Sequence, residues 1–282
     1  MIGIIPRPLF DEVMVRLKFF KYILSTTVLV VFTCFTLWPQ SSGETNKVVK
    51  VMTFNILHGA TTKGDFNLDL IAAVINIADP DLVALQEVDF KTRRAKNYDL
   101  ATELGLRTKM APLFGKAMDY DGGAYGEGIL SKFTFISTRN VPLPFSTGND
   151  PRAALEAVIE LPSGDTIAFI GTHLDHLKDP VDRIAQATRI KQVFSGNKYP
   201  TLLAGDLNAI PGSEPMNILM QHWTPSYGDS AEPTIPSENP SHKIDYILYY
   251  PSGSWKVIDR KVICDKIASD HCAYLVTLQL LD

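Results

Sequence analysis

From Lys47 onward, apolar and polar positions change period along the chain in a way that predicts alternating strands and helices. The run KVVKVMTFNIL (47–57) is strand-like, DLIAAVINIA (69–78) repeats with helical spacing, and DLVALQEV (81–88) is a short β-rich run ending in polar residues. Further strands are predicted over Tyr125–Ser131, Ala153–Leu161, Thr166–Thr172, Thr201–Ala204, Ile244–Tyr250, Trp255–Ile263 and Ala273–Leu280, so strands outnumber helices. PSGD at Pro162–Asp165 reads as a hairpin turn between two of them, which requires partly antiparallel sheets and fits a purely parallel, doubly wound fold poorly. Between Ala209 and His242 stand six prolines and few apolar runs besides Met216–Met220. That stretch predicts a short helix inside a long loop, expected on the substrate side.

Before Lys47 the pattern is different. Tyr22–Trp38 is seventeen residues without a charge, directly behind Arg16, Lys18 and Lys21, which is an export signature. The run is long for the apolar part of a signal peptide and shorter than the ~20 apolar residues that a membrane span needs. Residues 1–45 therefore read either as a cleaved signal or as an anchor held through residues 22–38. MVRLKFFK, starting at Met14, makes a basic start of its own, whereas residues 1–13 look like an upstream extension. No Ala-x-Ala cleavage site is evident, and the residues before Cys34 are bulky for a lipoprotein site. Residues 46–282 are read as a single domain, secreted, periplasmic or held at the cell envelope.

With 45% hydrophobic and 21% charged residues, a chain of 282 residues can bury a core, which excludes disordered, collagen-like and coiled-coil classes. The 18 glycines and 18 prolines follow no repeat. The formal charge of −4 becomes −5 without residues 1–45. An acidic surface repels polyanions at long range, so nonspecific nucleic-acid binding is disfavoured. No protein partner is implied. Of the three cysteines, Cys264 and Cys272 fall in the domain; an oxidising compartment permits one bridge, and two buried free thiols are the simpler expectation.

Chemistry gathers where the predicted strands stop: Asn55 ends VMTFN, Glu87 ends LVALQE, His173 ends IAFIGTH, and Asp206 with Asn208 follows TLLAG. Each position alone has a turn or surface explanation. Taken in order, the words MTFNILHG, LQEVD, YGEGILSK, GTHLDH, GDLNA, KIDYIL and SDHCAYL resemble the endonuclease/exonuclease/phosphatase superfamily from about Val48 to Leu280. The resemblance implies a four-layer αββα sandwich, in the α/β (α+β) class, with helices around two packed, mainly antiparallel sheets. These words encode a phosphoryl-transfer site shared by every branch and do not choose a substrate.

Phosphoester hydrolysis needs its oxygens neutralised, a nucleophile made from water, and the departing alkoxide stabilised. Glu87 offers a hard carboxylate to Mg²⁺, with Mn²⁺ or Ca²⁺ as substitutes; the resemblance implies that Asn55 and Asp270 complete the metal site. It also implies that His271 is the general base and Asp245 the partner that sets its tautomer. Asp206 is expected to orient or deprotonate the attacking water, and the Asn208 amide to bind a nonbridging phosphate oxygen. By likeness to the DNase and sphingomyelinase branches, His173 donates to the phosphate or leaving group, Glu127 supports His173, and Arg152 binds phosphate. His176 reads as a surface residue at a helix entry, His58 as a supporting residue, and Arg93 and Arg94 as a solvated pair. The expected activity is hydrolysis of a small or lipid-linked phosphodiester by direct attack of activated water. A nonspecific extracellular endonuclease is the alternative in the same class. An inactive phosphate-ligand-binding envelope protein is the alternative in another, and the intact set of acids, amides and histidines argues against it.

Overall fold

The computed structural model describes residues 47–282, and the expectations of a signal or anchor over residues 1–45 lie outside them. The first predicted run forms strand β1 (Val48–Asn55), which puts Val49 and Val51 on one face and Met52 and Phe54 on the other, all buried. Helix α1 (Leu68–Ala78) follows, its start capped by the Asn67 side chain on the amides of Asp69 and Leu70. It returns the chain to strand β2 (Leu82–Phe90), parallel to β1. After helix α2 (Leu100–Thr108) come β3 (Ala111–Tyr120), β4 (Gly123–Ser131), β5 (Thr134–Leu143), β6 (Arg152–Glu160) and β7 (Thr166–His173). Helix α3 (Val181–Phe194) leads to β8 (Thr201–Asp206), and the remaining elements are α4 (Glu214–Met220), β9 (Thr224–Pro225), β10 (Asp245–Tyr250), β11 (Trp255–Ile263) and β12 (Ala273–Leu280).

Two six-stranded sheets result, ordered β11-β12-β1-β2-β4-β3 and β5-β6-β7-β8-β10-β9. Every pairing is antiparallel except β1 with β2 and β7 with β8, whose crossovers carry α1 and α3. The inner faces meet in a core that includes Val51, Ala84, Ile129, Phe169, Leu202 and Tyr274. On the outer face of the first sheet lie α1 and α2, packed on Met52, Phe54 and Leu85; on that of the second lie α3 and α4, packed on Ile170, Leu203 and Tyr246. Central strands are thus covered on both faces, which is why they read as continuous apolar runs. The four-layer sandwich is the one expected.

Five elements are absent from the sequence reading, one of them the two-residue β9. Strands β3 and β5 are sheet edges with mostly exposed or half-exposed residues, and α2 and α3 each bury only a narrow stripe among polar residues. The proline-rich segment does contain the short helix, but it does not line the active cleft, contrary to expectation. It braces the chain behind it: the Ser237 amide donates to the Asp270 carbonyl and the Cys272 amide to the Thr234 carbonyl. The two cysteines form a disulfide, correcting the expectation of free thiols. Because Ile263 pairs with Ala273 at the end of the β11–β12 ladder, the next residues outward, Cys264 and Cys272, face each other with Cα atoms 4.3 Å apart.

Candidate active site

The two parallel strand pairs end at one edge of the sandwich, where strand ends in open sheets leave a crevice. A cleft of about 320 Å³ lies there, lined among others by Glu87, Arg152, His173, Asp206, Asn208 and His271. Strand register sets its centre: Asp206 is the Cα partner of His173 across the β7–β8 pair and of Asp245 across β8–β10. Three functional side chains are therefore fixed side by side by backbone hydrogen bonds.

Asn55, at the end of β1 and 1% exposed, links the two sheets. Its amide nitrogen donates to Glu87 Oε1 and to Asp206 Oδ2, both at 3.2 Å, and its oxygen accepts from the Leu57 amide at 3.1 Å. Glu87 sits in a bulge of β2, where Gln86 and Glu87 together oppose one β4 residue, Glu127. Its φ of 59° is unusual for a residue with a Cβ, and the bulge aims the carboxylate into the cleft. His58 Nδ1 lies 3.2 Å from the other oxygen, Oε2. Burial opposes ionisation of Glu87, but the hydrogen bonds from His58 and from the Asn55 amide favour the charged form, and the carboxyl is held down at about 2.

Asp206 receives the backbone N–H of Asn208 on Oδ1 at 3.0 Å, while its Oδ2 lies 3.3 Å from His173 Nε2 and 3.7 Å from His271 Nε2. Burial and the neighbouring Asp245 charge push its carboxyl up to about 7, against the pull of His271. His271 Nδ1 meets both oxygens of the fully buried Asp245 at 3.1 and 3.2 Å, as the expected dyad requires. Burial would lower the imidazole, but the Asp245 charge and hydrogen bond, helped by Asp206 and Asp270, raise it to about 10.

The second histidine has different company from that expected. His173 Nδ1 faces Arg152 Nη1 at 3.1 Å and the Tyr125 hydroxyl at 3.4 Å, while Nε2 lies 3.0 Å from the Asn208 amide nitrogen. Burial and the Arg152 charge hold it neutral, well below the usual histidine range. Glu127 makes no hydrogen bond with it. Among the described residues neither oxygen of this fully buried carboxyl has a hydrogen-bond partner, and burial raises it well above its ordinary value. The physical reason is competition: Arg152, 3% exposed, reaches the ring nitrogen that a supporting carboxylate would need.

Arg152 also donates to Tyr125 at 3.3 Å and to His176 Nδ1 at 3.2 Å; His176 is exposed, as expected, and forms part of the cleft wall. Arg94 is likewise in the wall, bonded by two nitrogens to the buried Asp89 and lying over the Tyr120 ring at 4.5 Å, while Arg93 pairs with Asp121 at the surface. Four expected site residues are outside the cleft lining: Asn55, Glu127 and Asp245 are buried behind it, and Asp270 opens on a neighbouring depression with Thr62, Lys63 and Lys266. The sequence reading does not include the wall residues Met118 and Tyr120, which lie on the unpredicted β3, or Tyr125, which lies on the predicted β4; the aromatic pair flanking the DGGA turn of YDGGAY is the available signal.

Donors at the centre are hard carboxylate oxygens held by amides, which fits a hard divalent cation better than a soft one. Asp206, Asp245 and His271 form a buried group whose ligand atoms lie within 4.8 Å of one another.

The model of the Endonuclease/Exonuclease/phosphatase family matches residues 52–271 of the chain. Among solved structures, an endonuclease/exonuclease/phosphatase from Beutenbergia cavernae is 23% identical with a TM-score of 0.70, the match covering 83% of this chain and 72% of the other. A mannosyl-6-phosphatase from Bacteroides thetaiotaomicron is 18% identical with a TM-score of 0.68 over 82% and 99%. The human Nocturnin catalytic domain, solved with bound sulfate, is 19% identical with a TM-score of 0.64 over 84% and 96%. These likenesses show a common fold.

Proposed function

The chain belongs to the endonuclease/exonuclease/phosphatase family, and from that premise we propose that it is an exported, Mg²⁺-dependent hydrolase of a small or lipid-linked phosphodiester. Membership makes it a phosphoester hydrolase by class, and one neighbour of the same fold is a sugar-phosphate phosphatase. The observation that carries the reading is the Asn55 amide joining Glu87 of one sheet to Asp206 of the other, which brings metal-type and proton-transfer groups into one cleft.

Glu87, steadied by Asn55, is the residue in the cleft that would hold the cation; Asp270, which the resemblance adds to the site, faces the neighbouring depression. When bound, the cation supplies neutralisation of the phosphoryl oxygens. Asn208, whose amide nitrogen also reaches the Leu174 carbonyl at 3.0 Å, is poised with His173 to hold the phosphoryl group. Asp206, between these groups and His271, orients the attacking water. At neutral pH the extra proton of the Asp206–His271 pair rests on the imidazole, so the water gives its proton to the Asp206 carboxylate while the imidazolium faces the developing charge. In this reading Asp206 shares the general-base role expected of His271. The net negative charge of the chain repels a long polyanion, which favours a compact substrate over DNA.

Purified protein assayed on bis-p-nitrophenyl phosphate, phospholipid and DNA, each with Mg²⁺ or with EDTA, should release product only with the metal. Absence of turnover across that panel would favour the envelope receptor instead.

A further inference from the structure

His58 is absorbed by none of these roles. It lies in the turn Leu57–Gly59 after β1, where Leu57 and His58 both have φ of 45°, a conformation that side chains with a Cβ rarely adopt. The turn is held by the Ile56 amide on the Gln86 carbonyl at 3.1 Å, the Leu57 amide on Asn55 Oδ1 at 3.1 Å, and the Gly59 amide on the Ile56 carbonyl at 2.9 Å. Two successive left-handed residues cost free energy that surrounding contacts must offset, and such backbone persists where it places something. What it places here is the imidazole, half-buried in the cleft lining with Nδ1 3.2 Å from Glu87 Oε2.

The consequence for Glu87 is specific. Its two oxygens each meet one donor, the Asn55 amide on Oε1 and His58 on Oε2. A carboxylate oxygen has two lone pairs, so this clamp fixes the plane of the group and still leaves each oxygen a lone pair for a cation. Neither donor alone would stop the carboxylate from rotating about its last bond.

We propose that His58 is a positioning residue that, by donating from Nδ1 to Glu87 Oε2, pre-orients this carboxylate for a divalent cation and so sets the affinity of the metal site. The inference rests on Glu87 being a metal ligand, as the proposed function has it. It assigns the working atom: the ring carries a proton on Nδ1, and the group that replaces it must offer a donor there. Asparagine does so, because its amide nitrogen falls near the Nδ1 position, and it tolerates left-handed backbone. Glutamine reaches the Nε2 position instead.

The test is calorimetric titration of the full chain with Mn²⁺ alone, for the wild type, His58→Ala, His58→Asn and His58→Gln, with circular dichroism to confirm folding. Groups that orient a metal ligand are typically worth 10–100-fold in affinity, so His58→Ala and His58→Gln should weaken Mn²⁺ binding by about that factor while His58→Asn restores most of it. In the assay on bis-p-nitrophenyl phosphate, the Mn²⁺ concentration for half activity should rise in parallel, with kcat at saturating Mn²⁺ within about twofold of wild type, as loss of binding alone requires. Affinity unchanged in His58→Ala, or glutamine restoring it where asparagine does not, would overturn the inference. Should His58→Ala not fold, the asparagine and glutamine variants decide it by the same comparison. A wild-type chain that binds no Mn²⁺ would instead defeat the metal reading of Glu87 itself.

Discussion

The most consequential residue pair is Asp206 and His271, because its electrostatics reverse a simple division of labour. The Asp245 charge and hydrogen bond raise the His271 imidazole, and in the proposed reaction the group that accepts a proton near neutrality is the Asp206 carboxylate. The sign follows: an acceptor must be unprotonated, so kcat/KM should fall about tenfold per pH unit below an inflection near 7 and level off above it. Measuring the profile under saturating Mg²⁺ checks this, and an acidic limb nearer 10 would return the role to His271. Individual site residues were legible because family words carry them: Asn55, Glu87, Asp206, Asn208 and His173 meet in one cleft, with Asp245 behind His271. The partner of His173 was not legible. Which of two buried groups reaches a ring nitrogen depends on ångström-scale packing between β4, β6 and β7, and here Arg152 occupies the place expected for Glu127.

At the scale of elements, the site depends on devices that interrupt regular structure. The β2 bulge turns Glu87 into the cleft, and the disulfide ties the end of β11 to the start of β12, directly beside His271. The bridge closes a short loop that also carries Ser269, whose hydroxyl donates to the Asn55 carbonyl at 2.7 Å. By chain entropy a loop of this length stabilises the fold by about 2–3 kcal/mol. Replacing both Cys264 and Cys272 with serine should therefore lower the urea midpoint accordingly, and the wild type under reductant should shift by the same amount; equal midpoints would show the bridge to be inert. Central strands announced themselves because both their faces are apolar. Edge strands β3 and β5 did not: water covers much of each, so their sequences carry no alternation strong enough to separate them from loops.

For the whole molecule, the two sheets work as one platform only while their inner faces stay packed. Phe169, fully buried between them, lies on the strand that ends in His173. Phe169→Ala should cost about 3–5 kcal/mol in a denaturant titration, the usual penalty for emptying such a site. Activity measured below the new midpoint should track the folded fraction, since His173 and Asp206 are placed by strand register rather than by that ring. A loss of kcat with stability unchanged would contradict this.

By itself the sequence determined the covering of each central strand, the class of chemistry and most of its polar residues, because burial on two faces and a family's motif words are local properties of the chain. Only the tertiary structure decided the company those residues keep: which carboxylates an Asn55 amide joins, which proton the Asp206–His271 pair holds, and that His58 grips Glu87 while Glu127 stands unpaired. Those are matters of distance and dielectric between segments far apart in the chain, and no local pattern records them.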